Sequence, residues 1–429
     1  MRKKVTYLTV CSAFVLGMLL LTSYRHANYK TPTATTDNSA TAGLILPQGF
    51  SATIVADSLG AVRHIAVTKN GQIYAKLGSL KNGKGILFLS DTNNDGKMDK
   101  SMGFGNYRGT GIRISDNALY TSSNSAVYKY QLNDKGEVTD TGKAEMIVHG
   151  LVDRGRDNAK SFALDDNNHI YVAVGSYDET CADASGHGIP NCPLLDSVGG
   201  IWQFSTNKSN QSYSDAVHYA KGLKNPVGLD WNEATKSLFA TSHGRGSLNA
   251  KFPNLYTPQQ DQALPAETFY ELSKGADAGW PYVYYDPFLH KKILAPEYGG
   301  DAKTAVSDKY IDPVVDFPAH LAPNDLLFYT GNMFPAKYKN GAFIVFHNQS
   351  QSLKKGFLVA FIPFKNGKPS GQWEVFADNF AGFDLKSPTG PFQHRPIGLA
   401  QGPDGALYVA DDLKGTIYKI TYPGNKKQG

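Results

Sequence analysis

The sequence predicts an all-β fold, a six-bladed β-propeller with loop insertions on one face. Its composition is the first observation, because 43 glycines, 24 tyrosines and 22 phenylalanines favour many short strands joined by tight turns. The second is a turn pair followed by a short apolar strand, which recurs at 70–75, 116–121, 167–172, 235–240, 340–345 and 404–409. Another apolar strand precedes most copies, which makes each a hairpin, and four-stranded units repeating at about 45 residues or more are typical of propellers.

The chain of 429 residues could form two average domains or one large all-β domain. The widest gaps between the hairpins hold residues 250–325 and 365–394, which we interpret as insertions on one face of a single domain. We therefore place the propeller at 44–422 and a short tail at 423–429. A β-sandwich is the structural alternative, but it does not require a hairpin that recurs so regularly.

The amino-terminal residues 1–23 are typical of a secretory signal. Arg2, Lys3 and Lys4 precede the apolar and almost uncharged residues 5–23. A run of this length also suffices for a short transmembrane span, and no clear cleavage site follows it. A cleaved signal and an uncleaved membrane anchor therefore both stay open. Residues 24–43 are expected to form a flexible tether, and the protein is expected to be exported to the periplasm or another extracytoplasmic compartment.

The cysteines support export. Cys11 lies inside the apolar run, which leaves Cys181 and Cys192 in the remaining chain. Two cysteines this close together in an exported protein are expected to form a disulfide, and the bridge would staple the loop between them. Two free buried thiols are the alternative.

The charge pattern excludes one function class and indicates a ligand class. The net charge of +5 is mild, and the dense basic runs lie at the termini, so no basic stripe for a nucleic acid is expected. In a propeller, the innermost strand of each blade lines the axis, and its start rings one mouth of the central channel. The residues expected at this mouth are mostly cationic: Arg63, His64, Arg108, Lys160, Lys224, Asn225, Asn324 and Arg395. Such a ring would attract an anion, unless each cation pairs with a loop carboxylate.

Several longer motifs resemble a known family, the soluble quinoprotein glucose/sorbosone dehydrogenases, which include pyranose dehydrogenases. The resemblance covers about residues 44–422. It is carried by the segments 242–245, 275–282, 294–298, 322–325, 328–331 and 395–405.

The resemblance implies the cofactor pyrroloquinoline quinone (PQQ), a tricarboxylate lying on the mouth, with Ca²⁺ beneath it. It also implies a small sugar substrate, an external electron acceptor that the sequence does not identify, and a base that takes the hydroxyl proton while hydride passes to the quinone. Carried over by position, Lys224 and Asn225 take the place of an Arg-Asn pair that contacts the cofactor, and Arg395 is a later contact. Backbone carbonyls near Gly244 and Arg245 would hold the Ca²⁺.

Together with the mouth positions, the resemblance makes Arg63, Lys160, Lys224, Asn225 and Arg395 the predicted cofactor-binding residues. A trianionic ligand would account for so many cations around one channel.

The sequence departs from the family at the catalytic position. The family's histidine falls within 157–160, where Asp157 takes its expected place, so Asp157 is the candidate catalytic base. Lys224 lacks the two-pronged geometry of an arginine, and residues 347–352 lack the family's Trp and Arg. Two functions therefore stay open. One is a PQQ-dependent dehydrogenase that oxidises a sugar hydroxyl or an aldehyde hydrate, and the other is a non-catalytic propeller that binds a carbohydrate or a periplasmic partner.

A second candidate metal site lies in the loop 91–99. Asp91, Asn93, Asp95 and Asp99 alternate with other residues, and Gly96 stands at position six, as in the first half of a Ca²⁺ loop. Position twelve is Met102 and not the expected bidentate Glu. A surface Ca²⁺ site and a plain turn rich in Asx residues both stay open.

Overall fold

A computed structural model describes residues 29–30, 40–306 and 309–423. Strands dominate this part of the chain, and the helices are short. In chain order the strands are β1 (Tyr29–Lys30), β2 (Ser51–Ala56), β3 (Val62–Val67), β4 (Ile73–Lys81), β5 (Lys84–Ser90), β6 (Lys100–Phe104), β7 (Ile112–Ser115), β8 (Ala118–Ser122), β9 (Val127–Gln131), β10 (Glu145–Val148), β11 (Phe162–Leu164), β12 (His169–Val174), β13 (Gly200–Ser205), β14 (Val217–Lys221), β15 (Asn225–Asn232), β16 (Ser237–His243), β17 (Glu267–Leu272), β18 (Ala276–Asp277), β19 (Val283–Asp286), β20 (Lys291–Leu294), β21 (Val315–Phe317), β22 (Pro323–Phe328), β23 (Ala342–Ser350), β24 (Lys355–Ile362), β25 (Phe364–Lys365), β26 (Lys368–Pro369), β27 (Trp373–Ala377), β28 (Pro396–Gln401), β29 (Leu407–Asp411) and β30 (Ile417–Thr421). The helices are α1 (Leu248–Lys251), α2 (Pro258–Asp261) and the 3₁₀ turns Pro193–Asp196, Tyr213–Asp215, Pro296–Tyr298 and Ala336–Tyr338.

The strands form the six blades that the sequence predicted. From the axis outward, the blades are β3–β6, β7–β10, β11–β14, β15–β17 with β21, β22–β24 with β27, and β28–β30 with β2. We number them 1 to 6 in this order. The innermost strands contact one another in a closed ring, β3 to β7, β11, β15, β22, β28 and back to β3.

The ends of the propeller chain are joined within blade 6. The early strand β2 pairs antiparallel with the last strand, β30, with Ser51 opposite Thr421. This pairing closes the ring, so no blade is left with an open side. Within the predicted tether, β1 pairs parallel with β27 and adds a fifth strand to blade 5.

The recurring turn has a conformational cause. Each of the six hairpins carries a residue with positive φ, a region that Gly, Asn and Asp adopt most readily. These residues are Gly71, Asp116 with Asn117, Asn168, Lys236, Asn340 and Gly405. The strands that follow are buried on both faces because neighbouring blades pack against each side, as in β23, where Ala342–Phe346 are fully buried.

The insertions extend blade 4 and the region after blade 5. Residues 244–266 follow β16, and a long excursion after β17 contains the hairpin β19–β20. The hairpin β25–β26 joins the third and fourth strands of blade 5, and Gly367 in its turn lies against Thr235 on the face opposite the mouth. No helix in the described part of the chain is long and apolar enough to cross a membrane, and residues 1–23 lie outside that part.

Candidate functional site

The predicted mouth residues are brought together by hydrogen bonds between blades. Arg63 Nε donates to Thr110 Oγ1 at the start of blade 2 over 3.3 Å. His64 Nε2 lies 2.8 Å from the carbonyl oxygen of Asn324 in blade 5, two blades away around the ring. These contacts place the starts of the innermost strands around one narrow opening. Arg108 is exposed there.

Asp157 is held by the two residues that begin β15. Lys224 forms an ion pair with Asp157 Oδ2, and Asn225 Nδ2 lies 3.2 Å from Asp157 Oδ1. Asp157 has a positive φ of 47°. Gly175 packs so tightly against it that a Cβ atom would lie 2.2 Å from Asn225 Oδ1. The sequence-predicted base and two predicted cofactor residues therefore form one cluster.

A second carboxylate in this cluster, Glu179, was missed by the sequence analysis. Its Oε1 lies 3.1 Å from Lys224 Nζ and also pairs with Arg156. Its Oε2 accepts from the backbone N–H of Gly246 over 3.3 Å. Glu179 follows β12 in a long loop, and no motif in the sequence connects it with Lys224.

Two neutral histidines complete the polar network. His243 Nδ1 lies 3.2 Å from Asn225 Nδ2, and its Nε2 lies 2.9 Å from Asn324 Oδ1. Since an amide nitrogen can only donate, Nδ1 accepts and Nε2 carries the proton. Burial lowers the pKa of His243 and of His64 to about 4, so both rings are uncharged at neutral pH.

Arg63 and Arg395 share a single carboxylate, that of Asp412. Arg395 Nε donates to Asp412 Oδ1 over 2.7 Å, and Arg63 Nη1 lies 3.5 Å from Asp412 Oδ2. Burial opposes ionisation of Asp412, but the hydrogen bonds from His347 and Arg395 hold its pKa at about 2. The carboxylate of Asp411 lies beside this pair and accepts from the backbone N–H of Arg395 over 2.6 Å, so two carboxylates accompany the two guanidinium groups.

Lys160 is the most isolated cation of the mouth. The residue is 1% exposed, and its Nζ donates to the carbonyl and the side-chain oxygen of Asn158 over 3.1 and 2.8 Å. Burial lowers the pKa of Lys160 to about 8, although the nearby Asp153 opposes this.

The mouth is thus less cationic than the sequence suggested. Asp157, Glu179 and Asp412 neutralise much of the charge of Lys224, Arg63 and Arg395, as in the alternative reading of paired cations. The prediction of a ring of uncompensated cations was wrong at these three residues. The carboxylates that pair with them come from loops distant in sequence, so the sequence did not show the pairing. Among the predicted cofactor residues, Lys160 is the cation without an ion pair in the described part of the chain.

Charged side chains close the channel below the mouth. Arg113 Nη2 donates to Asp325 Oδ1 over 2.9 Å, from blade 2 to blade 5. Asp325 is fully buried and also accepts from the backbone N–H of Leu399 over 2.8 Å. Burial raises the pKa of the neighbouring Asp230 to about 6. This axial cluster was not foreseen, and it fixes three blades to one another.

The two predicted metal regions differ in their surroundings. Gly244 N donates to buried Glu267 over 2.9 Å, while no hydrogen bond within the described residues ends on the carbonyl oxygens of Gly244 or Arg245. Ca²⁺ at the carbonyl oxygens of Gly244 and Arg245 stays a prediction. Burial raises the pKa of Glu267 to about 7.

In the loop 91–99, the side chains accept from the loop's own backbone. Asp91 binds the N–H groups of Asn94 and Gly96 over 2.7 and 2.8 Å, and Asp99 binds Thr92. The described residues contain no group of three His, Cys, Asp or Glu side chains suited to a metal. Calcium at Asp91, Asn93, Asp95 and Asp99 stays a prediction.

A disulfide and hydrogen bonds from residues of the family motifs hold the mouth loops in position. Cys181 and Cys192 form the predicted disulfide, with Cα atoms 6.1 Å apart. Tyr282 OH accepts from Cys192 N over 2.8 Å, and Tyr298 OH donates to the carbonyl of Cys181 over 3.1 Å. Trp280 Nε1 donates to the carbonyl of Glu179 over 2.9 Å. Segments 275–282 and 294–298 thus position the loop that carries Glu179.

Replacing Cys181 and Cys192 together by serine is expected to lower the free energy of unfolding by about 2–3 kcal/mol, the entropy of closing so short a loop. Urea unfolding of the double variant beside wild-type protein measures this. Peptide mapping without reductant should recover the two cysteines linked. Recovery of both cysteines as free thiols would show that the disulfide does not form.

Comparisons with known proteins agree with this geometry. A family model described as TrAA12-like matches residues 44–284 and 291–423. A pyrroloquinoline quinone-dependent sugar dehydrogenase of Hypocrea jecorina is 22% identical over 350 residues, which cover 75% of each chain.

Two solved structures share the fold. A calcium structure of the Trichoderma reesei carbohydrate-active enzyme of family AA12 has a TM-score of 0.71 at 17% identity, covering 92% of this chain and 98% of that one. The holo form of the pyranose dehydrogenase PQQ domain of Coprinopsis cinerea has a TM-score of 0.67 at 18% identity, covering 92% and 98%. The family model spans nearly the whole propeller, and the predicted resemblance to quinoprotein sugar dehydrogenases is confirmed: the chain belongs to the TrAA12-like family.

Proposed function

We propose that the protein is a PQQ-dependent oxidoreductase that oxidises a hydroxyl group or an aldehyde hydrate of a sugar. The observation that carries the proposal is the pairing of Lys224 and Asn225 with Asp157 at the mouth, together with the partly exposed guanidinium groups of Arg63 and Arg395. The names of the similar proteins support the same chemistry. PQQ, when bound, supplies a two-electron acceptor for the hydride of the substrate.

The residues present fit an anionic cofactor. The side chain of Arg395 is 40% exposed and uses only Nε towards Asp412, so both Nη groups can face a ligand carboxylate. Arg63 lies beside it, and Lys160 adds a buried positive charge. On the opposite side of the mouth, Lys224 and Asn225 contact the carboxylate of Asp157 and fix its position. Gly244 and Arg245 offer two carbonyl oxygens, ligands that Ca²⁺ prefers.

Asp157 is the proposed acceptor of the substrate's hydroxyl proton. Its carboxylate oxygens already contact Lys224 and Asn225, and Arg156 Nε lies 3.8 Å away. A base surrounded by cations gains little from taking up a proton, so we expect slow turnover. Lys224 acts as a positioning residue that keeps Asp157 facing the mouth.

The protein is also proposed to be exported, because basic residues and an apolar run begin the chain and the propeller carries a disulfide. Fractionation of cells after mild release of the periplasm tests this. Recovery of the protein only with the cytosol would contradict it, whereas recovery with membranes would favour the uncleaved anchor.

A non-catalytic binding protein is the second candidate. Two observations favour it. The carboxylate of Asp157 is already occupied by its contacts with Lys224 and Asn225, and residues 347–352 lack the family's Trp and Arg. Reconstitution with PQQ and Ca²⁺, followed by dye reduction with a panel of aldoses and sugar alcohols, separates the two. Sugar-dependent reduction supports the dehydrogenase. PQQ binding with no reduction by any sugar would favour the binding protein.

The affinity for PQQ is expected to fall as the pH rises from about 7 to about 9. The buried ammonium of Lys160 has a pKa of about 8 without ligand, and a nearby tricarboxylate stabilises the charged form. Binding above that pKa must therefore take up a proton. Calorimetry in buffers of different ionisation enthalpy measures the uptake. Lys160→Met should bind more weakly at pH 7 and lose the dependence, and an unchanged slope in the variant would contradict this role.

A further inference from the structure

Next to Lys224, between blades 3 and 4, lies a small cavity of about 40 Å³. Its wall includes Lys224, Arg245, Lys292, Tyr270, Trp280 and Thr268. Three of these side chains are cationic, and none of the described residues that line the cavity is an aspartate or a glutamate. The cavity is therefore a partly open space with cations on its wall, and their carboxylate partners do not line it.

Two of the three cations have carboxylate partners outside the cavity. Lys224 pairs with Asp157 and Glu179, and Arg245 Nη1 lies 2.5 Å from Glu297 Oε2. Arg245 is 5% exposed, and its Nη2 has no hydrogen-bond partner among the described residues. A buried guanidinium nitrogen without an acceptor is costly, so this group calls for a ligand.

Lys292 has no charged partner in the described part of the chain. It is 4% exposed, and its Nζ donates to Tyr270 OH over 2.7 Å and to the carbonyl of Ala278 over 2.6 Å. An ammonium has three protons, so one donor remains. Because Tyr270 OH accepts from Lys292, its own proton is also free to donate. The cavity wall thus combines one uncompensated positive charge with several unused donors.

The size of the cavity limits the ligand. A buried water needs roughly 10–15 Å³ of such space, so about 40 Å³ admits a very small guest. A single positive charge calls for a monovalent anion. We propose that this cavity binds one halide ion, chloride under ordinary conditions, between Lys292, Tyr270 and Arg245. The cavity shares Lys224, Gly244 and Arg245 with the region proposed for the cofactor and Ca²⁺, and the halide is tested in protein that carries neither.

Bromide provides the direct test, because its anomalous scattering locates it in crystals of wild-type protein. We expect bromide within hydrogen-bond distance of Lys292 Nζ. In solution, chloride should raise the melting temperature in a saturable way relative to sodium gluconate at the same ionic strength. In Lys292→Met, the chloride concentration for a half-maximal shift should rise by at least about tenfold, a loss of about 1.4 kcal/mol in binding.

Lys76→Met is the matched control. Lys76 is also a fully buried lysine that donates to backbone carbonyls, those of Gly85 and Tyr107, but it does not line the cavity. This variant should lose stability and keep the chloride response. A cavity without bromide, or an equal chloride response in Lys292→Met and wild type, would overturn the proposal, as would bromide in the crystal with no halide-specific response in solution. If Lys292→Met does not fold, the wild-type crystals and titration decide. None of these readouts depends on PQQ.

Discussion

Asp157→Asn is expected to lower the rate of sugar oxidation by about 10²–10⁴-fold, the usual contribution of a general base. The asparagine keeps the shape of the side chain and an oxygen for Asn225 Nδ2, but it cannot accept the substrate's proton. PQQ affinity should change little. Steady-state dye reduction with saturating PQQ and Ca²⁺ measures the effect.

Asp166→Asn is the control, since Asp166 is an exposed carboxylate that pairs with Lys236 on the face away from the mouth. Wild-type rates at ordinary dehydrogenase levels that survive Asp157→Asn would place the base elsewhere. Three other histidines could be considered as the base, but each already has a hydrogen-bond partner: His64 the carbonyl of Asn324, His320 the carbonyl of Asp261, and His394 the side chain of Asp411.

Asp157→His should raise turnover on aldoses, because a histidine has an ordinary pKa of about 6.5 and, when neutral, offers a free nitrogen to the hydroxyl proton. Lys224 and Arg156 would also keep that ring uncharged. A variant that binds PQQ as wild type does and shows no gain would argue that the slow step is not proton transfer.

Arg395→Ala is expected to weaken PQQ binding by about 1.5–3 kcal/mol, or roughly 10–150-fold, as for the loss of a charge-assisted hydrogen bond. The side chain of Arg395 is more exposed than that of Arg63, the other arginine paired with Asp412. Its two Nη groups are the donors that can reach a ligand carboxylate. Equilibrium titration followed by absorbance measures the change.

Lys337→Ala controls for the loss of a surface cation, because Lys337 pairs with Glu374 in blade 5 and takes no part in the mouth. Raising the salt concentration should weaken wild-type binding and have less effect on Arg395→Ala. Equal affinities of Arg395→Ala and wild type would remove this arginine from the site.

The elements of the fold could be predicted because their signals are local. The turns at Gly71 and Asn340 need a positive φ, and the residues that adopt it are visible in the sequence. The starts of the innermost strands follow from the hairpins, which is why Lys224, Asn225 and Arg395 could be placed at the starts of β15 and β28. The cross-channel pair of Arg113 and Asp325 could not be foreseen, because the two residues are 212 positions apart.

The balance of charge at the site could not be predicted for the same reason. Glu179 and Asp412 lie in loops, and only the closed ring of blades brings them to Lys224, Arg63 and Arg395. Lys292 belongs to the hairpin β19–β20, whose packing against Tyr270 depends on the long excursion of blade 4. The spacing of residues in the sequence indicates which residues start a strand. It does not indicate which carboxylate forms an ion pair with each cation.

Calorimetric titration of the purified, cofactor-free protein with PQQ, in the presence of Ca²⁺ and again after chelation, tests directly whether this propeller binds the quinone. We expect saturable binding of one quinone per chain at micromolar concentration, lost or strongly weakened without Ca²⁺ and weakened in Lys224→Gln. Absence of binding by wild-type protein at micromolar PQQ with Ca²⁺ present would contradict it.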